Sequence, residues 1–465
     1  MPLSIAPTLM PYGLLLTLAL AGCSPQPAPW QGRYGGYWGD GIYDSIQLES
    51  AADGQVTISY WRDISADDQQ TAPLIRFSQT NLEQPLLLQW TVDGQPGATM
   101  NARYLAELDQ LEVHYQDSTT QGVNLMSRHG QARPGNPALT PQPGTLAYEF
   151  RLHAPWADAV TLAGEMSDWR DDQLPMVKGE DGHWRLTLHL APGHWQYKFV
   201  VDGRWQADPL VAESRPDGFG GHNSVITLGE PDPRYQADPA IAAGSVSELS
   251  LDSRFVGAQK LMLYRPAGNH AEPLPWLLLL HGYGAGRRQW LDDGQLPALL
   301  DRLIASGELP PLAVVMPDGG TSFYLGDTEK YLIEELLPAA ASWGLSSEPR
   351  QRIISGMSMG GFGSFYLSYR HPQAFAAALP LSGYFDLARI PNLDPAKVAN
   401  GYHLELWCGQ DDHISTSTNQ LLAHRLQAMA KPPVIHYAPG GHTWRYWQQI
   451  MPEVLARVAA LLRQG

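Results

Sequence analysis

Cysteine is nearly absent from this chain: two in 465 residues, which cannot staple a disulfide framework. Charge is sparse as well, with Asp, Glu, Lys and Arg making up 17% of the residues, and it leans one way. The formal net charge is −16, so nucleic acid and anionic lipid would be repelled by the chain as a whole, and no nucleic-acid partner is expected. No group of His, Cys and carboxylates has metal-ligand spacing, no glycine loop ends in Lys-Ser or Lys-Thr, and no dinucleotide fingerprint occurs. The chemistry is therefore expected to need neither metal nor cofactor. The longest early apolar run, Leu14 to Leu20, is too short to span a bilayer comfortably.

Apolar residues are plentiful at 44%, enough to build real cores in two to four domains. Within that background, Gly356-Met357-Ser358-Met359-Gly360 lies between the apolar stretch Arg352-Ile353-Ile354-Ser355 and a helix-like stretch from Gly361 to Arg370. Strand, sharp turn and helix are expected, with small residues two before and two after Ser358 letting the turn lift its hydroxyl clear of the sheet. Ser358 is thus a candidate nucleophile. Downstream, an apolar strand from His403 to Cys408 runs into Gly409-Gln410-Asp411-Asp412, and another from Val434 to Tyr437 runs into Gly440-Gly441-His442-Thr443-Trp444. The order Ser, Asp, His is that of α/β-hydrolases.

Each residue type has a reason. Serine needs a base to become a nucleophile at neutral pH, which His442 would supply, and Asp412 would hold the imidazole tautomer and its charged form. Two backbone N–H groups must face the oxyanion. One is that of Met359, next after the serine. The other is assigned to Tyr283, in the loop His281-Gly282-Tyr283-Gly284 that follows the apolar strand Trp276 to Leu280. Asp411 rivals Asp412, although the fourth place of G-x-x-D suits the acid. His413, His436 and His281 rival His442; the first abuts the acid, the second lies within a strand, and the third more naturally braces the oxyanion loop. Asp318 reads as turn chemistry and Cys408 as a small apolar residue in a buried strand.

On these motifs, together with Pro317-Asp318-Gly319-Gly320-Thr321-Ser322-Phe323-Tyr324 and Leu381-Ser382-Gly383, the stretch from about Leu249 to Arg463 resembles the esterase family that includes esterase D, bacterial feruloyl esterases, enterochelin esterases and mycolyltransferases. The resemblance implies a doubly wound, mostly parallel α/β-hydrolase sheet, the triad Ser358, Asp412 and His442, and oxyanion amides from Tyr283 and Met359. It makes a carboxylic ester, cleaved through an acyl-enzyme, the expected substrate. Trp444 and Trp447 resemble the feruloyl esterase side of the family, so feruloyl or acetyl esters of carbohydrate are the first expectation. A siderophore trilactone is the second, although relatives of that kind carry phenylalanine where Met359 stands. Acyl transfer and a non-catalytic envelope scaffold are further alternatives. Arg287 and Arg288 stand where many relatives are acidic, which fits either an anionic substrate or plain surface charge.

The rest of the chain divides by composition. Leu20-Ala21-Gly22-Cys23 resembles a bacterial lipoprotein signal, which implies a signal peptide over 1–22, lipidation of Cys23 and an outer-membrane anchor, despite an n-region without Lys or Arg. Residues 23–29 form a Pro-rich tether. Residues 30–132 alternate apolar and polar positions as an antiparallel β domain, a meander that a small barrel or sandwich would accommodate. After a Pro/Gly-rich linker, residues 145–228 show short strands at even spacing, the pattern of an immunoglobulin-like sandwich. This segment is similar to glycogen-binding and isoamylase-type N-terminal domains, which implies sugar contacts by Trp169, Lys198, Trp205 and Asn223. Residues 246–465 complete the chain as the hydrolase.

Overall fold

The computed structural model of the chain describes the strands between Gly32 and Arg128 and residues 136–464, apart from 172, 270–272, 387–388, 391–392, 394–402 and 428–431. The signal-like segment, Cys23 and the tether lie outside the described residues.

The period-two pattern of the first domain produces a single eight-stranded antiparallel sheet. Two four-strand meanders meet where Gly32–Tyr37 pairs with Gln121–Arg128, which leaves Ile75–Gln79 and Leu86–Val92 at opposite ends of the strand order. Those two end strands follow one another in the chain, and the connection between Gln79 and Leu86 reaches at most about 25 Å. A flat sheet of that size would be about 33 Å across, so the sheet must curl toward a barrel. Tyr34, Ile46, Leu48, Leu111, Val113 and Met126 are buried in it. Glu112, also buried, takes a bond from Arg103 and pairs with Arg425 on the helix Thr416–Leu426, which ties this domain to the hydrolase.

The middle module is built from two antiparallel sheets. One contains Val160–Gly164, Gly193–Val201, Arg204–Gln206, Ser214–Pro216 and His222–Leu228; the other contains Leu146–His153, Val177–Lys178 and His183–Leu190. Inward-facing Phe150, Leu152 and Leu188 of one meet Leu162, Tyr197 and Phe199 of the other in a shared core.

The hydrolase sheet has eight strands in the order Ser245–Ser253, Gly257–Arg265, Ala313–Pro317, Trp276–Leu280, Arg352–Met357, Ala377–Leu381, Glu405–Gly409, Val434–Ala438. The first two run antiparallel and the strands from Ala313–Pro317 onward run parallel to one another. Helices cover both faces, so the central strands are apolar on both sides, as Trp276-Leu277-Leu278-Leu279-Leu280 shows. Alternation still operates: Trp276, Leu278 and Leu280 join the core beneath the helix Met359–Arg370, while Leu277 and Leu279 join the core beneath Leu296–Ala305 and Trp444–Gln464. Parallel strands place their carboxyl ends on one side, and the loops after Leu280, Met357, Gly409 and Ala438 gather there.

Close helix-to-strand contact at the serine turn depends on glycine. A Cβ on Gly360 would lie 2.5 Å from the Leu280 carbonyl oxygen and 2.7 Å from that of His281. These are backbone atoms that cannot move aside. Gly360→Ala is therefore expected to lower stability by at least about 1–3 kcal/mol, measured as the shift of the hydrolase transition in chemical denaturation; an unchanged midpoint would contradict this packing.

Candidate active site

Ser358 stands at the junction of Arg352–Met357 and Met359–Arg370, with φ 56° and ψ −117°. A non-glycine residue rarely holds such a backbone, and strain of this kind collects at functional turns. Neighbouring bonds fix the turn: the Ser358 N–H donates to the Leu381 carbonyl at 3.0 Å, and the Ser358 carbonyl accepts from Phe362 N–H at 3.0 Å and Tyr384 N–H at 3.2 Å. Met359 is the first helical residue, so its N–H has no acceptor within the helix.

Asp412 is fully buried after the strand Glu405–Gly409. Its Oδ2 lies 2.9 Å from His442 Nδ1 and accepts the Ser415 hydroxyl at 2.6 Å, while Oδ1 accepts the Ser415 and Ile414 N–H groups at 2.8 and 3.1 Å. Burial alone would push this carboxyl up; the His442 charge, with bonds from His442 and Ser415, outweighs burial and holds it below the usual carboxylate range. His442 feels the converse. Burial disfavours its charged form, but the Asp412 charge and hydrogen bond, aided by the Asp168 charge, raise its pKa above the ordinary 6.5. The Trp447 ring packs edge-on against the imidazole with centroids 5.1 Å apart. Asp411 serves the neighbouring loop, its Oδ2 accepting from Gly440 N–H at 3.1 Å.

The other histidines are committed elsewhere. His436 stacks on Trp407 and meets Glu405, and His413 meets Asp168. His281 braces the loop it opens: Nδ1–H donates to the Gly282 carbonyl at 2.7 Å and Nε2 accepts the Gly319 N–H at 2.8 Å, which defines the neutral tautomer. The Tyr324 hydroxyl accepts His281 N–H and donates to His281 C=O, and Gln289 accepts Gly282 N–H. Tyr283 follows this pinned segment with its ring exposed between Phe219 and Phe323. Arg287 is held by Glu248 and Asp318, and Arg288 by Asp292, so both act as surface charge. Asp318 does more than form a turn, because it also accepts the Arg287 N–H. Cys408 is buried and its thiol is pushed up, chiefly by desolvation.

The residues assigned to sugar contact do not form one free surface. Lys198 is buried against Asp217, and Asn223 is buried with its amide donating to Gln196 at 3.1 Å. Trp169 is half-buried, and only Trp205 is exposed, at 43%. Sequence reasoning overlooked Glu165 and Asp168, middle-module acids whose carboxylates accept backbone N–H groups of Trp444 and His442. No hydrolase motif points to a side chain 274 positions upstream of the histidine. Among the described residues no group of His, Cys, Asp and Glu could hold a metal ion, and no helix is long and apolar enough to cross a membrane.

Residues 255–458 match the family described as "Putative esterase", and residues 150–234 match that described as "Glycogen recognition site of AMP-activated protein kinase". The chain is 28% identical over 262 residues to an endo-1,4-beta-xylanase/feruloyl esterase of Xylanibacter ruminicola, an overlap of 50% of this chain and 34% of that protein. It is 29% identical over 286 residues to an iron(III) enterobactin esterase of Dickeya dadantii, covering 57% of this chain and 60% of that one. The chain thus spans about a third of the first relative's length and three fifths of the second's. Among solved structures, an enterochelin esterase from Shigella flexneri superposes with a TM-score of 0.55 at 18% identity, covering 69% of this chain and 94% of that one, a likeness of fold. The chain carries an α/β-hydrolase esterase domain and a separate glycogen-recognition-type module, and its matches converge on catalytic hydrolases.

In histidine NMR of the folded chain, the His442 ring is expected to titrate above 6.5 and to move down in Asp412→Asn, which removes the largest charge favouring imidazolium. A ring titrating at or below 6.5 would contradict the Asp412 contact.

Proposed function

We propose that the chain is a serine carboxylic ester hydrolase that works through Ser358, His442 and Asp412. The observation that carries this reading is the 2.9 Å contact between His442 Nδ1 and the buried Asp412, in a fold whose strained serine turn opens on the same side of the sheet. With Nδ1–H committed to Asp412, Nε2 is the nitrogen left to act as base. In the proposed reaction, Ser358 Oγ attacks the ester carbonyl carbon as Nε2 takes its proton, and the N–H groups of Met359 and Tyr283 hold the oxyanion. Collapse expels the alcohol, which recovers the proton from His442. Water, activated by the same Nε2, then releases the acid and regenerates the serine. An alcohol in place of water would make the reaction a transfer.

For the substrate, we favour a trilactone siderophore ester over the sugar-linked ester expected first. The enterobactin esterase of Dickeya dadantii is matched over 60% of its length, against 34% for the feruloyl esterase. An aromatic substrate group, which both readings carry, suits the exposed rings of Phe219 and Tyr283 and the Phe323 ring beneath the Arg389 guanidinium, 4.3 Å from its centroid. Feruloyl or acetyl esters of carbohydrate are the second reading, favoured by the xylanase/feruloyl esterase and acetyl esterase relatives. We read the middle module as an immunoglobulin-like domain. The engagement of Lys198 and Asn223 supports a docking role over glycan capture. We further read Cys23 as a lipidation site that anchors the enzyme in a bacterial envelope.

Ser358→Ala is expected to reduce turnover of p-nitrophenyl butyrate by at least about 10³-fold with unchanged folding; retained turnover would reject the nucleophile, and an inert but folded wild type would favour the scaffold. Because His442 must be neutral to act and its pKa is raised, kcat/KM should fall on the acid side with a midpoint above 6.5. Compared by specificity constant, enterobactin should exceed feruloylated oligosaccharide and acetylated xylan by at least about tenfold, or 1.4 kcal/mol; the reverse ranking would restore the carbohydrate reading. Labelled fatty acid should enter the full chain in a bacterial host and be lost in Cys23→Ala, whereas equal labelling would remove the anchor.

A further inference from the structure

We propose that Asp168 of the middle module is a positioning residue for His442, so that the module is a working part of the active site and not an appended binder. This inference rests on the serine esterase reading. One carboxylate holds two loops: Oδ1 accepts the His442 N–H, while Oδ2 accepts the His413 N–H at 3.0 Å and meets His413 Nδ1 at 2.5 Å. His413 is the residue after Asp412. Asp168 therefore ties the backbone beside the acid to the backbone of the base, the two groups whose side chains must meet.

Four further observations support the assignment. Asp168 and Trp169 both lie in the left-handed region, at φ 51° and 60°, a costly pair of conformations that brings the carboxylate onto the histidine loop. Gly441 has no side chain where one would block that approach, since its Cβ would lie 2.2 Å from Asp168 Oδ1. Three residues before Asp168, the buried Glu165 accepts Trp444 N–H at 2.7 Å and Gln196 N–H at 3.0 Å, fastening the next stretch of the same loop. The module reaches the oxyanion loop too: Gly218 packs against the Tyr283–Gly284 backbone and Phe219 lies against the Tyr283 ring. The titratable groups around His442 are Asp412, Asp168 and, through Asp168, His413. Asp168 carries a charge near the imidazole besides its bonds, so its loss should be felt in protonation as well as placement.

The test uses the full chain, with kcat and KM for p-nitrophenyl butyrate followed across the neutral pH range and folding checked by cooperative thermal unfolding. In Asp168→Asn, kcat should fall roughly tenfold to a hundredfold, as loss of alignment costs, with KM little changed and the acid limb moved to lower pH. Asp168→Glu, which keeps the charge, should leave the limb nearer its wild-type position. Gly441→Ala, which displaces the carboxylate without altering it, should lower kcat in the same way. A folded Asp168→Asn chain with wild-type kcat and acid limb overturns the proposal. If that chain does not fold, Gly441→Ala decides, and its unchanged kcat overturns the proposal equally. A wild type that neither hydrolyses the ester nor takes a fluorophosphonate probe on Ser358 would instead defeat the esterase reading, and this inference with it.

Discussion

The site depends on a carboxylate held away from water. Asp412 has no solvent exposure, and a buried carboxylate is tolerated only when its lone pairs are met. Here they are met by a hydroxyl, two backbone N–H groups and the imidazole of His442. The constraint works in both directions. The imidazole gives the carboxylate a partner, and the carboxylate fixes the ring's tautomer and favours its charged form. The rest of the carboxyl-end architecture can be understood as keeping this pair in register beside the serine turn.

Register requires support from outside the hydrolase sheet. The His442 loop leaves a strand at the sheet's edge, where fewer neighbours pack than at the central strands. The middle module supplies the missing wall. Glu165 and Asp168 accept backbone N–H groups along the loop, and Arg445 reaches back to cover the Trp195 ring and donates to the Pro192 carbonyl. Glu165 is raised to about 7, chiefly by its burial, with the two backbone bonds opposing that rise. The first domain makes a separate attachment through Glu112 and Arg425, on the helix that follows Asp412. Both N-terminal domains thus touch elements that flank Asp412 and His442.

Local patterns made much of the hydrolase legible. The strand ending at Leu280, the serine turn and the helix after it follow from apolar runs bounded by glycine, and they are found at Trp276–Leu280, Arg352–Met357 and Met359–Arg370. The choice between Asp411 and Asp412 was not decided by spacing. It depends on which side chain turns inward at the strand's end, and Asp412 meets the imidazole while Asp411 meets the Gly440 amide. Lys198 and Asn223 show the opposite case. Their positions matched a sugar-contact pattern, yet both side chains are buried in bonds within the module.

Sequence by itself determined the chemistry available: a serine on a turn flanked by small residues, an acid after one strand, a histidine after another, and a composition without metal-ligand spacing. These are short-range features, written in residues a few positions apart. Only the tertiary structure decided which acid faces His442, which other histidines are already committed, and that a neighbouring module's carboxylate grips the histidine loop. Those outcomes join residues as far apart as Asp168 and His442, and such contacts arise from packing whole domains together, which no local pattern records.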